Sequence, residues 1–144
     1  MSETATIKYE IVTPRGKIAG GECLSVILPE PQGEIGILKS HIPLIAALGN
    51  GVMRFKTNAE EKRFFISKGF LEVKDNNVII LAEIAEKAEE IDTDRARSAY
   101  KRALARLDIA SPESVMKPEE RTRARRSKER AVARLKTAGV SIDE

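Results

Sequence analysis

The hydrophobic period of the chain changes near residue 88, and this change constrains the fold more than any other feature. Up to about residue 82, short apolar runs are separated by turn residues every eight to twelve positions. In the run TIKYEIV, which begins at Thr6, apolar and polar side chains alternate with the period of a half-buried strand. The sequence therefore predicts an α+β chain that is mainly β, with an antiparallel sandwich or barrel over residues 1–87 and an antiparallel two-helix hairpin over residues 88–144.

Further strand candidates are short and rich in β-branched or aromatic residues. They are ECLSVILPE from Glu22, GVMRFKT from Gly51 and KRFFISKG from Lys62. The segment FLEVKDNNVIILAE from Phe70 predicts a hairpin, because its central Asp and Asn residues tolerate turn geometry and stand between two apolar runs.

Small residues dominate the apolar stripe of each predicted helix. The positions that recur at helical spacing are Ala96, Ala99, Ala103 and Leu107, and then Ala124, Ser127, Ala131, Leu135 and Ala138. Two such helices approach closely but bury little apolar area, so we expect the hairpin to be marginally stable by itself and able to detach.

Residues at the predicted helix ends have the chemistry of caps. Asp92 is an N-cap candidate for the first helix, and Ile91 before it is placed to pack on Ala96. Pro118 suits the first turn of the second helix, and Gly139 suits its C-terminal end. The connection DIASPESVMK between the helices is about ten residues long, which predicts a mobile loop.

The positive charge is concentrated in the second helix. Residues 117–136 contain nine basic and three acidic side chains, a net charge of +6, whereas the whole chain carries +3. This asymmetry predicts an anionic partner, which could be nucleic acid, a nucleotide, an acidic protein surface or lipid, or else a solvated helix face.

Composition and motifs argue against an enzyme, a zinc site or a membrane span. The single cysteine and single histidine cannot form a structural zinc cluster, and they fit a reducing compartment. The polar N-terminus predicts no secretory signal, and the longest uncharged stretch, 14 residues, is shorter than the ~20 that span a bilayer. No phosphate loop, G-x-S-x-G elbow or H-E-x-x-H motif occurs, so no metal site and no catalytic residue is predicted.

The stretch GEIGILKSHIPLIAAL, from Gly33, contains that histidine. Its two glycines predict a tight turn that places Glu34 and Lys39 at an exposed edge, as in a binding loop on a rigid scaffold. Apolar neighbours favour a partly buried, hydrogen-bonded ring for His41 rather than a catalytic one.

This stretch, followed by SKGFLEV and AEKAEEIDTDRARSA, resembles the epsilon subunits of F-type ATP synthases, in the same order and over nearly the whole chain. The resemblance implies a β-sandwich followed by a helical hairpin. It also implies a noncatalytic rotor subunit of the central stalk that couples ion-driven rotation to ATP synthesis and inhibits ATP hydrolysis through its C-terminal helices. The implied partners are the gamma subunit, the c-ring and the catalytic alpha and beta subunits. The implied place is the cytoplasmic face of a bacterial inner membrane, or the stromal face of a thylakoid membrane, bound through the complex.

The resemblance also implies three sets of site residues. The c-ring and gamma docking set is Glu34, Lys39 and His41. The inhibitory set on the basic helix is Arg121, Arg123, Arg125 and Arg126. The I-D-x-x-R-A pattern of some bacterial members implies regulatory ATP, with or without Mg and with no required cofactor, at Glu86, Ile91, Asp92, Arg95, Ala96, Arg102, Arg130 and Arg134.

Two other classes of function stay open at this point. The first is a nucleic-acid-binding module that uses the basic helix, although aromatic residues make up only 4% of the chain and no base-stacking motif occurs. The second is a small hydrolase that uses His41 and a carboxylate, which has less support in the sequence.

Overall fold

A computed structural model describes residues 6–109 and 117–142. Within these ranges, eight strands precede two helices, and a short 3₁₀ turn joins the last strand to the first helix. The strands are β1 (Ile7–Thr13), β2 (Gly16–Cys23), β3 (Ser25–Glu30), β4 (Gly33–Leu38), β5 (Leu44–Leu48), β6 (Gly51–Lys56), β7 (Glu61–Lys74) and β8 (Asn77–Lys87). The turn is Ala88–Glu90, and the helices are α1 (Thr93–Ile109) and α2 (Pro118–Ala138).

The strands form a β-sandwich whose hydrogen-bonded path runs β2-β1-β8-β7-β6-β3-β4. Strand β7, at 14 residues, lies in the middle of this path and pairs with β8 over most of its length. Its first half pairs with β6 and its second half with β5. Among the described strand pairs, only β1 and β8 run parallel, and the rest are antiparallel.

Near the middle of strand β7, the face of the strand that points toward the core changes. Ile66 and Leu71 both lie in the main core, although a regular strand would turn residues five positions apart to opposite sides. The change falls at Lys68, which has a φ of +39°, and at Gly69. A Cβ at Gly69 would overlap the carbonyl oxygen of Leu81, so only glycine allows the two strands to approach here.

Two hydrophobic clusters hold the molecule together. The main one fills the sandwich with large side chains, including Phe55, Phe64 and Met53, and the ring centroids of Tyr9 and Phe55 lie 4.4 Å apart. The second cluster lies on the outer face of the sandwich, where its buried members are Phe65, Ile91 and Ala133, with Ile84 and Ala138 packed against them. The second cluster therefore joins the helices to the sheet.

Several sequence predictions are confirmed. The β1, β6 and β7–β8 hairpin segments are strands, and Asp75 and Asn76 form the hairpin turn with φ values of +50° and +62°. The helix stripes are buried or half-buried as expected. The sandwich and two-helix hairpin are confirmed as the fold class.

Other predictions need correction. ECLSVILPE is two strands, because β2 ends at Cys23 and β3 begins at Ser25. KRFFISKG and FLEV are one continuous strand that the Lys68–Gly69 irregularity made look like two. The tight turn expected between Gly33 and Gly36 is wrong, since these residues belong to the edge strand β4 and pair with β3.

The helix ends follow the predicted caps. Asp92 Oδ1 accepts a hydrogen bond from the Arg95 backbone N–H at 3.0 Å, directly before α1. Pro118 opens α2, and Gly139 ends it in the left-handed conformation with its N–H donating to Lys136 O at 3.0 Å. The predicted contact of Ile91 with Ala96 stays a prediction, and the predicted mobile loop falls largely on residues 110–116, outside the described residues.

Candidate functional site

A cavity of about 400 Å³ lies where the end of β8, the start of α1 and the later part of α2 meet. Carboxylates and guanidinium groups alternate around it, with two alanines on the α1 side. The lining residues are Glu86, Glu90, Asp92, Arg95, Ala96, Ala99, Arg102 and Arg134. A polar cavity with three arginines is suited to an anionic ligand that also carries hydrogen-bonding groups.

The closest contact in the cavity joins the sheet to the second helix. Arg134 Nε donates a hydrogen bond to Glu86 Oε1 at 2.6 Å, and both side chains are about two-thirds buried. The Arg134 guanidinium also lies over the ring of Phe65, 4.6 Å from the ring centroid. Both partners of Arg134 belong to the sandwich, because Phe65 and Glu86 are paired neighbours on β7 and β8.

A second polar site lies at the turn between β4 and β5. His41 is half-buried and its Nδ1 donates to Ile42 O at 2.7 Å, which confirms the partly buried, hydrogen-bonded ring predicted for it. Asn76 Oδ1 accepts from the Ser40 N–H at 3.0 Å, so the turn is attached to the β7–β8 hairpin. Leu38 and Ile42 are left exposed beside the histidine.

Glu34 and Lys39 are both exposed as predicted. The structure does not bring them together, because Lys39 belongs to this turn whereas Glu34 lies near the other end of β4. Glu34 lies on β4, where it accepts from Arg54 Nη2 of β6 at 3.2 Å. Lys39 lines a shallow cavity with Thr6, Asn58 and Asn76 at the end of the sandwich that bears the turn. Glu34 instead lines the groove between the sandwich and α2.

An apolar row crosses the outside of the sandwich on four neighbouring strands. Strand register aligns Ala47 with Phe70, Phe70 with Leu81, and Leu81 with Val12. Phe70, Leu81 and the nearby Ile45 are between 50% and 72% exposed. Large apolar side chains clustered in this way are typical of a protein–protein interface.

The basic side chains of α2 spread over two grooves. Arg125 and Arg126 line a groove of about 940 Å³ between α2 and the sandwich. Arg123 and Arg126 line a smaller one with Pro118 and Arg130. Arg121 is half-buried, whereas Arg123, Arg125 and Arg126 are exposed.

Two groups in the core have raised pKa values. Burial raises the pKa of the Cys23 thiol to about 11. Burial, with a smaller contribution from Cys23, also raises the pKa of Tyr9. These two groups are therefore structural, because the protein holds both in their neutral forms.

Comparison with known proteins identifies the family. The family model described as ATP synthase, Delta/Epsilon chain, beta-sandwich domain matches residues 6–88. The ATP synthase epsilon chain of Syntrophomonas wolfei is 41% identical over 135 residues, which cover 93% of this chain and 95% of that protein. The chain belongs to the ATP synthase epsilon chain family. The epsilon chain of Halalkalibacterium halodurans is similarly close, with 42% identity over 134 residues that cover 93% of this chain and 98% of that protein.

Solved structures share the fold with this epsilon chain. A chain of the Euglena gracilis mitochondrial ATP synthase OSCP/F1/c-ring structure superposes with a TM-score of 0.77 at 22% identity, covering 92% of this chain and 81% of that one. A chain of the Tetrahymena thermophila mitochondrial ATP synthase central stalk and c-ring structure gives 0.64 at 14% identity, covering 91% and 95%.

Family membership decides between the functions left open by the sequence. As an ATP synthase epsilon chain, the protein is a noncatalytic subunit, which supports the stalk-subunit prediction over a nucleic-acid-binding module or a hydrolase. Neither α1 nor α2, over the residues described, has the length and apolarity needed to cross a membrane. No group of three potential metal-ligating side chains occurs within residues 6–109 and 117–142.

The structure brings together most of the predicted nucleotide residues. Six of the eight line the cavity between α1 and α2, and Ile91 is buried in the adjacent hydrophobic cluster. Arg130 is the exception, because its Nη2 donates to Ser127 Oγ at 3.5 Å and its side chain lines the other groove. Sequence reasoning missed Glu90 and Ala99 as lining residues, although Ala99 lies three positions after Ala96 on the same helix face.

Sequence reasoning also missed the apolar row. Its signal was present in β7, where Phe70 and Glu72 alternate with the buried Leu71 and Val73. An aromatic residue on the polar side of an alternating strand is the feature that could have indicated the interface.

Proposed function

We propose that this chain is a rotor subunit of the central stalk, which couples ion-driven rotation to ATP synthesis and restrains ATP hydrolysis through its C-terminal hairpin. The observation that carries the proposal is the exposed apolar row beside a polar turn on a rigid sandwich. The structural neighbours come from assemblies described as F1/c-ring and central stalk/c-ring. By this proposal the chain is membrane-associated through the complex, on the cytoplasmic face of a bacterial inner membrane or the stromal face of a thylakoid membrane.

In this proposal the apolar row binds the gamma subunit. A row on four hydrogen-bonded strands keeps a fixed shape, and a joint that transmits torque needs such a surface. The end of the sandwich that bears Glu34 then meets the polar loops of the c-ring. Lys39 and His41, with the exposed Leu38 and Ile42 beside them, lie at the other end of β4 and belong to the docking surface for gamma.

Phe70→Glu tests the gamma interface. Because Phe70 is exposed, we expect the free energy of unfolding to change little, while binding to gamma weakens at least about tenfold. Ala59→Glu is the matched control, since Ala59 is exposed in the turn between β6 and β7, away from the row. Equal affinity of both variants for gamma, measured by calorimetry, would assign the row no part in docking.

The basic helix inhibits hydrolysis in this proposal when the hairpin opens and reaches the catalytic subunits. Replacing Arg121, Arg123, Arg125 and Arg126 by alanine keeps helix propensity high but removes four positive charges. We expect the assembled complex to hydrolyse ATP faster, and the difference from wild type to shrink as salt is added. The control replaces the exposed sandwich lysines at 17, 56, 62 and 74 by alanine and should leave the rate unchanged.

ATP binds the cavity between α1 and α2 in this proposal and keeps the hairpin closed. Arg95, Arg102 and Arg134 converge on it from both helices and could neutralise a polyphosphate. Asp92 or Glu86 could accept a hydrogen bond from adenine or ribose. A higher affinity of ATP for the closed hairpin than for the open one would be enough to shift the equilibrium toward the closed form, and ATP hydrolysis is not required.

Calorimetric titration with Mg-ATP tests the nucleotide site. We expect Arg102→Ala to weaken binding at least about tenfold, and Lys101→Ala, an exposed neighbour outside the cavity, to leave it unchanged. The family pattern includes Arg130 in the nucleotide site, whereas in the structure Arg130 lines another groove. If the structure is the better guide, Arg130→Ala should weaken ATP binding less than Arg134→Ala does. Absence of heat with wild-type protein would remove ATP from the account.

A further inference from the structure

Arg134 makes two contacts with the sandwich at once. Its Nε hydrogen-bonds Glu86 of β8 at 2.6 Å, and its guanidinium plane covers the Phe65 ring of β7 at 4.6 Å. A planar, delocalised cation is able to do both, whereas an ammonium group would offer a single charge without a stacking face.

Further contacts between the hairpin and the sandwich lie near Arg134. Ala133, its neighbour on α2, packs with Phe65 and Ile91 in the second hydrophobic cluster. At the end of α2, a Cβ on Gly139 would lie 3.2 Å from Arg63 Nη2, so the Arg63 guanidinium lies close to the negative end of the helix dipole. The later part of α2 therefore docks on the sandwich, where α2 contacts mainly β6 and β7 and Arg134 reaches Glu86 of β8.

The hairpin also contacts β6, but most of its buried side chains among the described residues are small. Its inner stripe is mostly alanine, and each alanine buries only a small apolar area. A two-helix hairpin of this kind is not expected to persist by itself in water, so undocking exposes the amides of α2 to exchange. A few strong contacts at the docking surface then decide the closed fraction.

We propose that Arg134 is a latch that keeps the hairpin docked on the sandwich without nucleotide, through Glu86 and Phe65 together. The proposal concerns the nucleotide-free protein, and it rests on the proposed function only where it names ATP. Since Arg134 also lines the proposed ATP cavity, a nucleotide phosphate binds this guanidinium by displacing the Glu86 carboxylate. The Glu86 carboxylate thus stabilises the closed state of the nucleotide-free protein, and the phosphate of a bound nucleotide stabilises that state further.

Amide hydrogen exchange of the full chain without nucleotide tests the latch. The variants are Glu86→Gln, which removes the carboxylate charge, and Arg134→Lys, which keeps the charge but removes the planar group. At the amides of Ala131, Ala133 and Leu135, we expect exchange about five- to tenfold faster in both variants than in wild type. The amide of Ile11 in β1 should be unaffected, because the sandwich stays folded.

Arg130→Lys is the matched control on the same helix. Arg130 lies one turn before Arg134 and contacts Ser127 of its own helix rather than the sandwich, so its exchange should match wild type. Equal exchange in Arg134→Lys and Arg130→Lys would overturn the latch. Equal acceleration at Ile11 and in α2 would also overturn it, since the change would then be a general loss of stability.

A second arm with saturating Mg-ATP separates the two proposals. Slower α2 exchange in wild type but not in Arg134→Lys would support both the latch and the nucleotide site. If Mg-ATP slows exchange in none of the proteins, the nucleotide site fails, and the nucleotide-free comparison still decides whether the latch exists.

Discussion

The sandwich and the helical hairpin differ in the size of the side chains they bury. Of the twelve largest fully buried side chains among the described residues, only Leu135 lies on a helix. The buried positions of the α1 stripe are alanines, Ala96 and Ala103, whereas the sandwich buries phenylalanine, isoleucine, leucine and methionine. At about 25 cal/mol per Å² of apolar area, we expect this difference to let the sandwich fold by itself and to make the hairpin depend on docking.

This difference separates a rigid element from a movable one in a single chain. Interdigitated large side chains in the sandwich resist deformation, which suits a surface that must keep its shape under torque. Among the described residues, the contacts that hold the hairpin to that scaffold include the packing of α2 on β6, one small cluster and the contacts of Arg134 and Arg63. We therefore expect a modest free energy to move it, which the proposed regulatory role requires.

Gly69→Ala should have the largest effect on the rigid element. The added Cβ would overlap the Leu81 carbonyl, and neither backbone can shift without breaking the β7–β8 ladder. We expect a loss of at least about 4 kcal/mol in the free energy of unfolding, measured with urea. Gly36→Ala is the control, because a Cβ at Gly36 meets no atom within 4 Å. An equal loss of unfolding free energy in the two variants would show that the close approach of Leu81 does not require glycine at position 69.

A matched pair of leucine substitutions sharpens the comparison. Leu28 in the sandwich and Leu135 in the hairpin are both fully buried, so Leu→Ala removes the same atoms from each. We expect Leu28→Ala to lower the unfolding free energy of the sandwich by about 2 to 5 kcal/mol. Leu135→Ala should leave the sandwich transition within about 0.5 kcal/mol of wild type while releasing the helices.

Circular dichroism with residue-resolved NMR distinguishes the two outcomes. Loss of helical signal at lower urea than the loss of sheet signals would indicate separate transitions in Leu135→Ala. A single shared transition, shifted equally by the two substitutions, would mean that sandwich and hairpin unfold as one unit.

The smallest expected effect is a loss of stability at alkaline pH. Burial raises the pKa of Cys23 from 9.0 to about 11, so the folded state favours the neutral thiol. The resulting stabilisation is complete below pH 9 and is lost as the pH rises toward 11. Cys23→Ala should flatten this dependence in urea titrations, leaving a residual slope from Tyr9, whose pKa is also raised. An unchanged slope would assign the alkaline loss to other groups.

Much of this architecture could be predicted from local sequence patterns. The change of period near residue 88 and the caps at Asp92, Pro118 and Gly139 depend on neighbours in sequence, and the structure has them where expected. Edge strand β4 was not predicted, because its glycines suggest a turn when its pairing with β3 is unknown. The break in β7 was also hidden, since it depends on the approach of Leu81 from another strand.

The candidate sites divide in the same way. The cavity residues on α1 follow from a contiguous motif, so Asp92, Arg95 and Ala96 could be found together. The contacts of Arg134 with Phe65 and Glu86 join positions 48 and more residues apart and could not be predicted from spacing. The division of the chain into domains at residues 87 and 88 stays a prediction. Its test is whether a chain without the hairpin still binds gamma and no longer restrains ATP hydrolysis.

The most direct test of this account is a chain that ends at Glu89, reconstituted into ATP synthase that lacks its epsilon subunit. We predict that it folds, binds gamma with an affinity within about threefold of wild type, supports ATP-driven ion pumping and allows faster ATP hydrolysis. Because removal of the hairpin uncovers Phe65, a Phe65→Ser version serves as a control for non-specific association. Loss of gamma binding, while circular dichroism shows an intact sheet, would contradict the claim that the sandwich docks and the hairpin regulates.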